Sequence, residues 1–212
     1  MKSLLLLVGM LVAPAFAATS ANIAFSSDYA WRGMTQSDGP AMSGGFDFKA
    51  ENGFYAGIWG SNVNFNDGAG SELDYYAGYT FSLGEIDVDL GYVAFDYPKN
   101  TTGLDFEEYV LGLSYGDFNL TLADDIDDSD LYTQISYALE LINQQGSLGE
   151  MVFSYGDYQN YGENFVVTYS FSCGSFDCGL MYRDFTGETD SAGTYLYGPD
   201  EDGLIFSISA SL

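Results

Sequence analysis

Histidine is missing from this chain, and basic residues nearly so: five Lys plus Arg stand against 31 Asp plus Glu, a formal net charge of −26. Without histidine the usual general base is gone, and with it Ser-His and Cys-His nucleophile pairs and imidazole metal ligation. No enzyme is expected from such a composition. Without clustered cations nothing can hold a run of phosphates, so nucleic acid is excluded as a partner. Proline is scarce at four residues and cysteine is limited to two. After the N-terminus no apolar run reaches the roughly 18 residues that a membrane-crossing helix needs. Strong acidity in a chain poor in rings would read as disorder, but 18 Tyr, 16 Phe and 2 Trp bring the aromatic share to 17%. The chain must fold around those rings.

What is present begins with a leader. Lys2 supplies a basic n-region, Leu4 to Val12 an apolar stretch, and Ala15-Phe16-Ala17 a small-x-small cleavage site, the pattern of a secretory signal peptide. Residues 1–17 are expected to be removed and 18–212 to form a single domain. An uncleaved helical anchor is the competing reading, and the shortness of the apolar stretch speaks against it.

The remainder is written in period two. Ile23, Phe25, Tyr29 and Trp31 alternate with Asn22, Ser26, Asp28 and Arg32; Leu73, Tyr75, Ala77, Tyr79, Phe81 and Leu83 alternate with Glu72, Asp74, Tyr76, Gly78, Thr80 and Ser82. The same pattern returns in 164–173 and 204–212. In a strand such alternation sends rings to one face and polar groups to the other. Asn52-Gly53 reads as a type I′ hairpin turn, and Gly84-Glu85, Gly116-Asp117 and Gly174-Ser175 read as two-residue connections. Longer polar connections fall between them, and only 143–149 is long where a tight turn is due. Twelve strands are expected, at 22–32, 42–51, 54–65, 72–83, 86–96, 106–115, 118–124, 131–142, 150–157, 164–173, 176–186 and 203–212.

An even number of strands about ten residues long, with tight turns at one end and long loops at the other, is the pattern of an antiparallel, up-and-down transmembrane β-barrel. In that reading the turns are periplasmic, the loops extracellular, both termini periplasmic, and the rings face lipid. A secreted β-sandwich alternates in the same way but buries its apolar face. It accounts poorly for strictly alternating connection lengths and for acids on nearly every strand.

The residues also carry a family likeness. The run Ser27-Asp28-Tyr29-Ala30-Trp31-Arg32-Gly33-Met34-Thr35-Gln36-Ser37, then Pro40-Ala41, Gly44-Gly45-Phe46-Asp47 and Gly53-Phe54-Tyr55-Ala56-Gly57-Ile58-Trp59-Gly60-Ser61-Asn62, resembles the opening of the TorF-family porins. Past about Leu83 the likeness is confined to the layout of strands and turns. The resemblance implies an outer-membrane address, a β-barrel and a porin role. Its partners would be outer-membrane lipid and lipopolysaccharide, the outer-membrane barrel assembly machinery, and small solutes or ions. Many such barrels end in Phe; this chain ends in Leu212 and keeps the alternating pattern before it.

Polar parity directed inward places Asp28, Arg32, Asp47, Lys49, Glu51, Asn62, Asn64, Glu72, Asp74, Asp87, Asp89, Glu108, Glu140, Asp177 and Arg183 toward the lumen. Twelve strands leave a narrow bore or a plugged one. A small cation-favouring pathway is expected, with a lumen closed by acids pairing with Arg32, Lys49 and Arg183 as the alternative; an outer-membrane hydrolase is a third, weaker reading. Arg32, placed at the outer end of the first strand with Asp28 on the same face, is either a constriction charge or half of an ion pair fixing the first loop. Asp124, Asp125, Asp127, Asp128 and Asp130 lack the Gly and closing Glu of an EF-hand, so a solvated acidic loop is expected, with no metal and no cofactor. Cys173 and Cys178 flank a turn in an exported chain, which allows a disulfide. A two-residue turn would pair Cys173 with Phe176 and leave Cys178 diagonal, whereas a four-residue loop would set the cysteines opposite one another. The bond is expected; two lipid-facing free thiols are the alternative.

Overall fold

The computed structural model describes residues 17–65, 68–99, 103–126, 130–144, 146–196 and 198–212. Of the expected leader only Ala17 falls among them, and Asp67, Asp127 and Asp128 lie outside the described residues. The period-two segments form strands, apart from the end of the first one past Ser26: β1 (Ala17–Ser26), β2 (Ala30–Trp31), β3 (Met34–Thr35), β4 (Ala41–Ala50), β5 (Phe54–Ser61), β6 (Glu72–Leu83), β7 (Ile86–Asp96), β8 (Phe106–Tyr115), β9 (Phe118–Asp125), β10 (Leu131–Asn143), β11 (Gly146–Tyr158), β12 (Gly162–Cys173), β13 (Phe176–Gly187) and β14 (Glu201–Ser211). Twelve of them close into one antiparallel barrel, each beside its neighbour in chain order, and β1 completes the ring by pairing with both β4 and β14. The two remaining strands, β2 and β3, form a separate hairpin in the connection from β1 to β4.

Connections alternate as the sequence implies except between β11 and β12, where the expected long connection at 158–163 is reduced to the three residues 159–161. Gly84, Gly116 and Gly174 supply φ of 67°, 57° and 79° at the tight turns, a region that costs glycine nothing. At Asn52-Gly53 only Gly53 is left-handed, with φ 98°, and the Asn52 side chain accepts the Phe54 N–H at 3.0 Å. That turn is therefore a glycine turn closed by an Asn side chain, not a type I′ pair. The expected long turn at 143–149 is also short: β10 and β11 run on to Asn143 and Gly146, with a register shift between Leu141 and Ile142. Gly146 and Gly149, at φ 129° and 132°, accommodate that irregularity.

Two strands are shorter than expected. The first stops at Ser26 rather than 32, because Arg32, Gly33, Asp38 and Gly39 all have positive φ and reverse the chain. β5 stops at Ser61, so Asn62 and Asn64 lie beyond the wall.

Strand parity gives the barrel an apolar outside and a polar inside. Ile23, Phe25, Met42, Phe46, Tyr75, Tyr79, Leu90, Tyr109, Ile135, Leu139, Leu204 and Phe206 are all exposed on the outer surface. Outward-facing acids are confined to the loop end, at Asp96, Glu107, Asp124, Asp157, Glu163, Asp184 and Asp202. The buried apolar clusters lie inside the loop end of the barrel, around the β2–β3 hairpin.

Candidate functional site

The barrel encloses a polar lumen, and the first connection is built into it. Residues 27–40 turn inward, and β2 and β3 meet at a two-residue turn, Arg32-Gly33, with φ of 49° and 84°. Both central residues left-handed is the type I′ geometry. For arginine it costs about 1–2 kcal/mol, so the tip must be held by its surroundings.

They hold it on all sides. The Arg32 Nη2 donates to Glu108 Oε2 on β8 at 2.8 Å, with the two side chains only 7% and 2% exposed. Its guanidinium lies 4.1 Å from the Tyr132 ring centroid and 4.5 Å from that of Tyr158, and 4.1 Å from its neighbour Trp31. Trp31 packs edge-on against Phe95, Phe106 and Tyr158 at 5.9, 5.9 and 5.8 Å. Tyr29 donates to Glu72 Oε1 on β6 at 2.9 Å and meets Trp59 of β5 at 5.2 Å. On the opposite wall Arg183 of β13 donates from Nη1 to the Gly33 carbonyl and to Glu201 Oε2, both at 2.8 Å, and from Nη2 to Asp28 Oδ2 at 3.3 Å. Glu201 also accepts the Thr35 N–H at 3.0 Å, and Asp28 accepts the Thr35 and Ser37 hydroxyls at 2.7 and 3.0 Å. The hairpin thus reaches from β5 and β6 to β13 and β14, across the loop end of the bore.

The expected lumenal residues sort into three groups. Glu72, Asp74, Glu108 and Arg183 face inward at the loop end, against the hairpin; Glu72, at 1% exposed, and Asp74 are buried. Asp47, Lys49, Asp87, Asp89, Glu140 and Asp177 face inward toward the turn end. There Tyr76 donates to Asp47, Tyr55 donates to Asp89 at 2.8 Å, and Ser82 donates to Asp87 at 2.5 Å. Lys49 and Asp87 line an open vestibule of about 880 Å³, and Glu140, Glu150 and Asp177 line another of about 770 Å³. Glu140 and Glu150 are direct cross-strand partners.

The third group needs correction. Asp28 and Arg32 are not on the first strand: both belong to the inward loop, and each pairs with the far wall rather than with the other. Tyr29 and Trp31 accordingly point into the lumen, not to lipid. Glu51 sits in the β4–β5 turn. Asn62 is exposed beyond β5, bridging the Met42 N–H at 2.8 Å and the Pro40 carbonyl at 3.2 Å, and exposed Asn64 donates its backbone N–H to the Gln36 carbonyl of the hairpin connection at 2.8 Å. Among the described residues Arg32 and Arg183 make ion pairs and Lys49 makes none. In the acidic run, Asp124 and Asp125 are successive strand residues on opposite faces, and Asp130 accepts the Asn160 side-chain amide at 2.7 Å. These three cannot converge on one ion.

Sequence reasoning missed Glu201, Asn164 and the rings Phe95, Phe106, Tyr132, Tyr158 and Phe185, and it set Asp125 in a solvated acidic loop, whereas Asp125 closes β9, buried and facing inward opposite Glu108. A signal was there: these rings hold inward parity, and all lie at the loop end of their strands. The disulfide is formed between Cys173 and Cys178, with Cα atoms 5.9 Å apart. The turn is the two-residue one, pairing Cys173 with Phe176, so the bond runs diagonally along the outer face of the hairpin.

The model of Gcw_chp, described as a bacterial protein of unknown function, matches residues 13–149. The chain belongs to that family. No curated protein matches the chain in sequence. Among solved structures, a KdgM porin superposes with a TM-score of 0.62 at 8% identity, over 91% of this chain and 97% of its own. A triple mutant of the Rhodopseudomonas blastica porin covers 92% of this chain and 100% of its own at 11% identity, with a TM-score of 0.39. The KdgM likeness shows the fold: this member of Gcw_chp is a porin-like barrel of twelve strands.

Proposed function

We propose that this protein is an outer-membrane barrel of the porin kind, giving small solutes a narrow, cation-favouring path. One observation carries the reading: a barrel with an apolar exterior encloses a lumen rich in carboxylates. An exterior of rings and aliphatic side chains of this extent suits lipid rather than water. In the lumen, Asp47, Glu72, Asp74, Asp87, Asp89, Glu108, Asp125, Glu140, Glu150, Asp177 and Glu201 face Lys49 and Arg183, with Arg32 and Asp28 added by the hairpin. Such an excess of negative charge in a narrow, low-dielectric bore attracts cations. The fold shared with a KdgM porin and the resemblance of residues 27–62 to the TorF-family porins support the same reading.

In this orientation the tight turns and both termini are periplasmic, and the loops and the rim of outward acids face the cell exterior. That rim meets anionic lipopolysaccharide through shared divalent ions. The alternating C-terminal strand is the segment offered to the barrel assembly machinery. No enzymatic role is assigned, since Glu108 is tied up by Arg32, Asp89 by Tyr55 and Asp47 by Tyr76.

A second reading, a closed barrel whose loops bind a surface partner, is favoured by one observation, the hairpin seated across the loop end. Single-channel recording in planar bilayers, with reversal potentials in a salt gradient, separates the two. Small unitary currents with a cation-selective potential are expected. Absence of conductance under all salts sinks the channel reading and leaves the closed barrel; an anion-selective potential sinks the lumenal assignment.

A further inference from the structure

Arg32 occupies a place that the barrel wall builds for a cation. Two of the three rings around its guanidinium, Tyr132 and Tyr158, belong to adjacent barrel strands and are each 4% exposed. The carboxylate beneath it, Glu108, is a direct cross-strand partner of Asp125, and both face inward. Like charges set opposite each other across a ladder repel unless a cation lies between them. Here the Arg32 guanidinium pairs with Glu108 at 2.8 Å, beside the facing Asp125. That guanidinium is also an imperfect occupant: among the described residues its Nη1 and the Glu108 Oε1 are buried without a hydrogen-bond partner, and its backbone is held left-handed at φ 49°. Rings and acids would stay in place if the hairpin withdrew, since β8, β9, β10 and β11 are fixed by their ladders.

We propose that the cage of Tyr132, Tyr158 and Glu108 is a binding site for guanidinium-bearing solutes, filled in the closed state by the barrel's own Arg32. A planar delocalised cation suits it because it can stack on ring faces while its N–H groups reach a carboxylate, which a strongly hydrated ammonium or potassium ion does less well. Neutral solutes leave the acids uncompensated. A solute that enters the bore competes with Arg32, displaces the hairpin tip and opens its own path. The proposal rests on the reading of the lumen as a solute path.

The test uses the full chain carrying Trp59→Phe, which leaves Trp31 as its single tryptophan of the original two. Methylguanidinium, tetramethylammonium and potassium chlorides are titrated at constant ionic strength in detergent while Trp31 fluorescence is read. Arg32→Ala vacates the cage and is expected to bind methylguanidinium about tenfold more tightly than the unsubstituted site, where Arg32 must first be displaced. Adding Glu108→Gln to Arg32→Ala is expected to remove that gain. Should Glu108→Gln fail to fold, Tyr132→Leu serves as the second variant, with a weakened methylguanidinium response expected. Equal responses to methylguanidinium and potassium in Arg32→Ala overturn the site. In parallel bilayer recordings, a conducting barrel indifferent to methylguanidinium overturns this proposal and leaves the channel reading standing. Binding in detergent without conductance upholds the cage as a guanidinium site but overturns the channel reading and, with it, the opening step.

Discussion

Gly33 shows how little room the hairpin has. With φ at 84° its ideal Cβ would come within 2.7 Å of Asn164 Cβ and 3.1 Å of the Asp184 carbonyl, closer than side-chain atoms tolerate, while its own carbonyl is gripped by Arg183. Gly33→Ala therefore meets both an unfavourable backbone and a wall that has no room to yield. The tip is expected to unseat, raising single-channel conductance and exposing 27–40 to added protease. Unchanged conductance in a folded variant would show that the hairpin does not limit the path.

Among the elements, the β12–β13 hairpin is the one stapled covalently, at the turn end and far from the hairpin in the lumen. The chain-entropy account gives a loop this short about 2 kcal/mol from its bond, and less where a tight glycine turn already closes it. Reduction of Cys173–Cys178 is expected to lower the unfolding temperature by a few degrees and leave conductance unaltered; a changed conductance would place the staple in the path. The wall on the other side is braced differently. Gly57 and Gly78 leave the space that the Tyr76 and Tyr55 rings occupy, an added Cβ meeting those rings at 2.4 and 2.3 Å. Each phenol then reaches an aspartate, Asp47 or Asp89. Glycine, ring and acid thus act as one unit across β4 to β7, smoothing the bore and fixing two of its charges.

For the molecule as a whole the decisive quantity is the sign and screening of the lumenal charge. The preference for cations is expected to shrink as salt rises from about 0.1 M to about 1 M and the Debye length falls from about 10 Å to about 3 Å. Reversal potentials across that range check it. Asp87→Asn is expected to lower the cation-to-anion ratio, since Asp87 lines the open vestibule, and Asp89→Asn, which removes the next inward carboxylate along β7, to lower it as well. A ratio independent of salt would mean that the acids do not face the conducting path.

Period two, turn chemistry and the missing cations were enough to set the barrel, the number of its strands and the sidedness of nearly every wall residue, because in a strand each side chain's face follows from position alone. Glu72, Asp74, Asp89, Glu108 and Arg183 could be directed inward on that ground, and the two cysteines brought together by a local turn. The route of residues 27–40 could not be read in this way. Tyr29 and Trp31 continue the alternation of Phe25 in the sequence, yet local period carries no record of a chain reversal whose stabilising contacts lie 76 and 150 residues away, at Glu108 and Arg183. Pairing Arg32 with Glu108 rather than with Asp28, and turning rings inward at the loop end, were decided only when the closed barrel brought its distant strands around one hairpin. A guanidinium buried among rings needs that full enclosure to hold it.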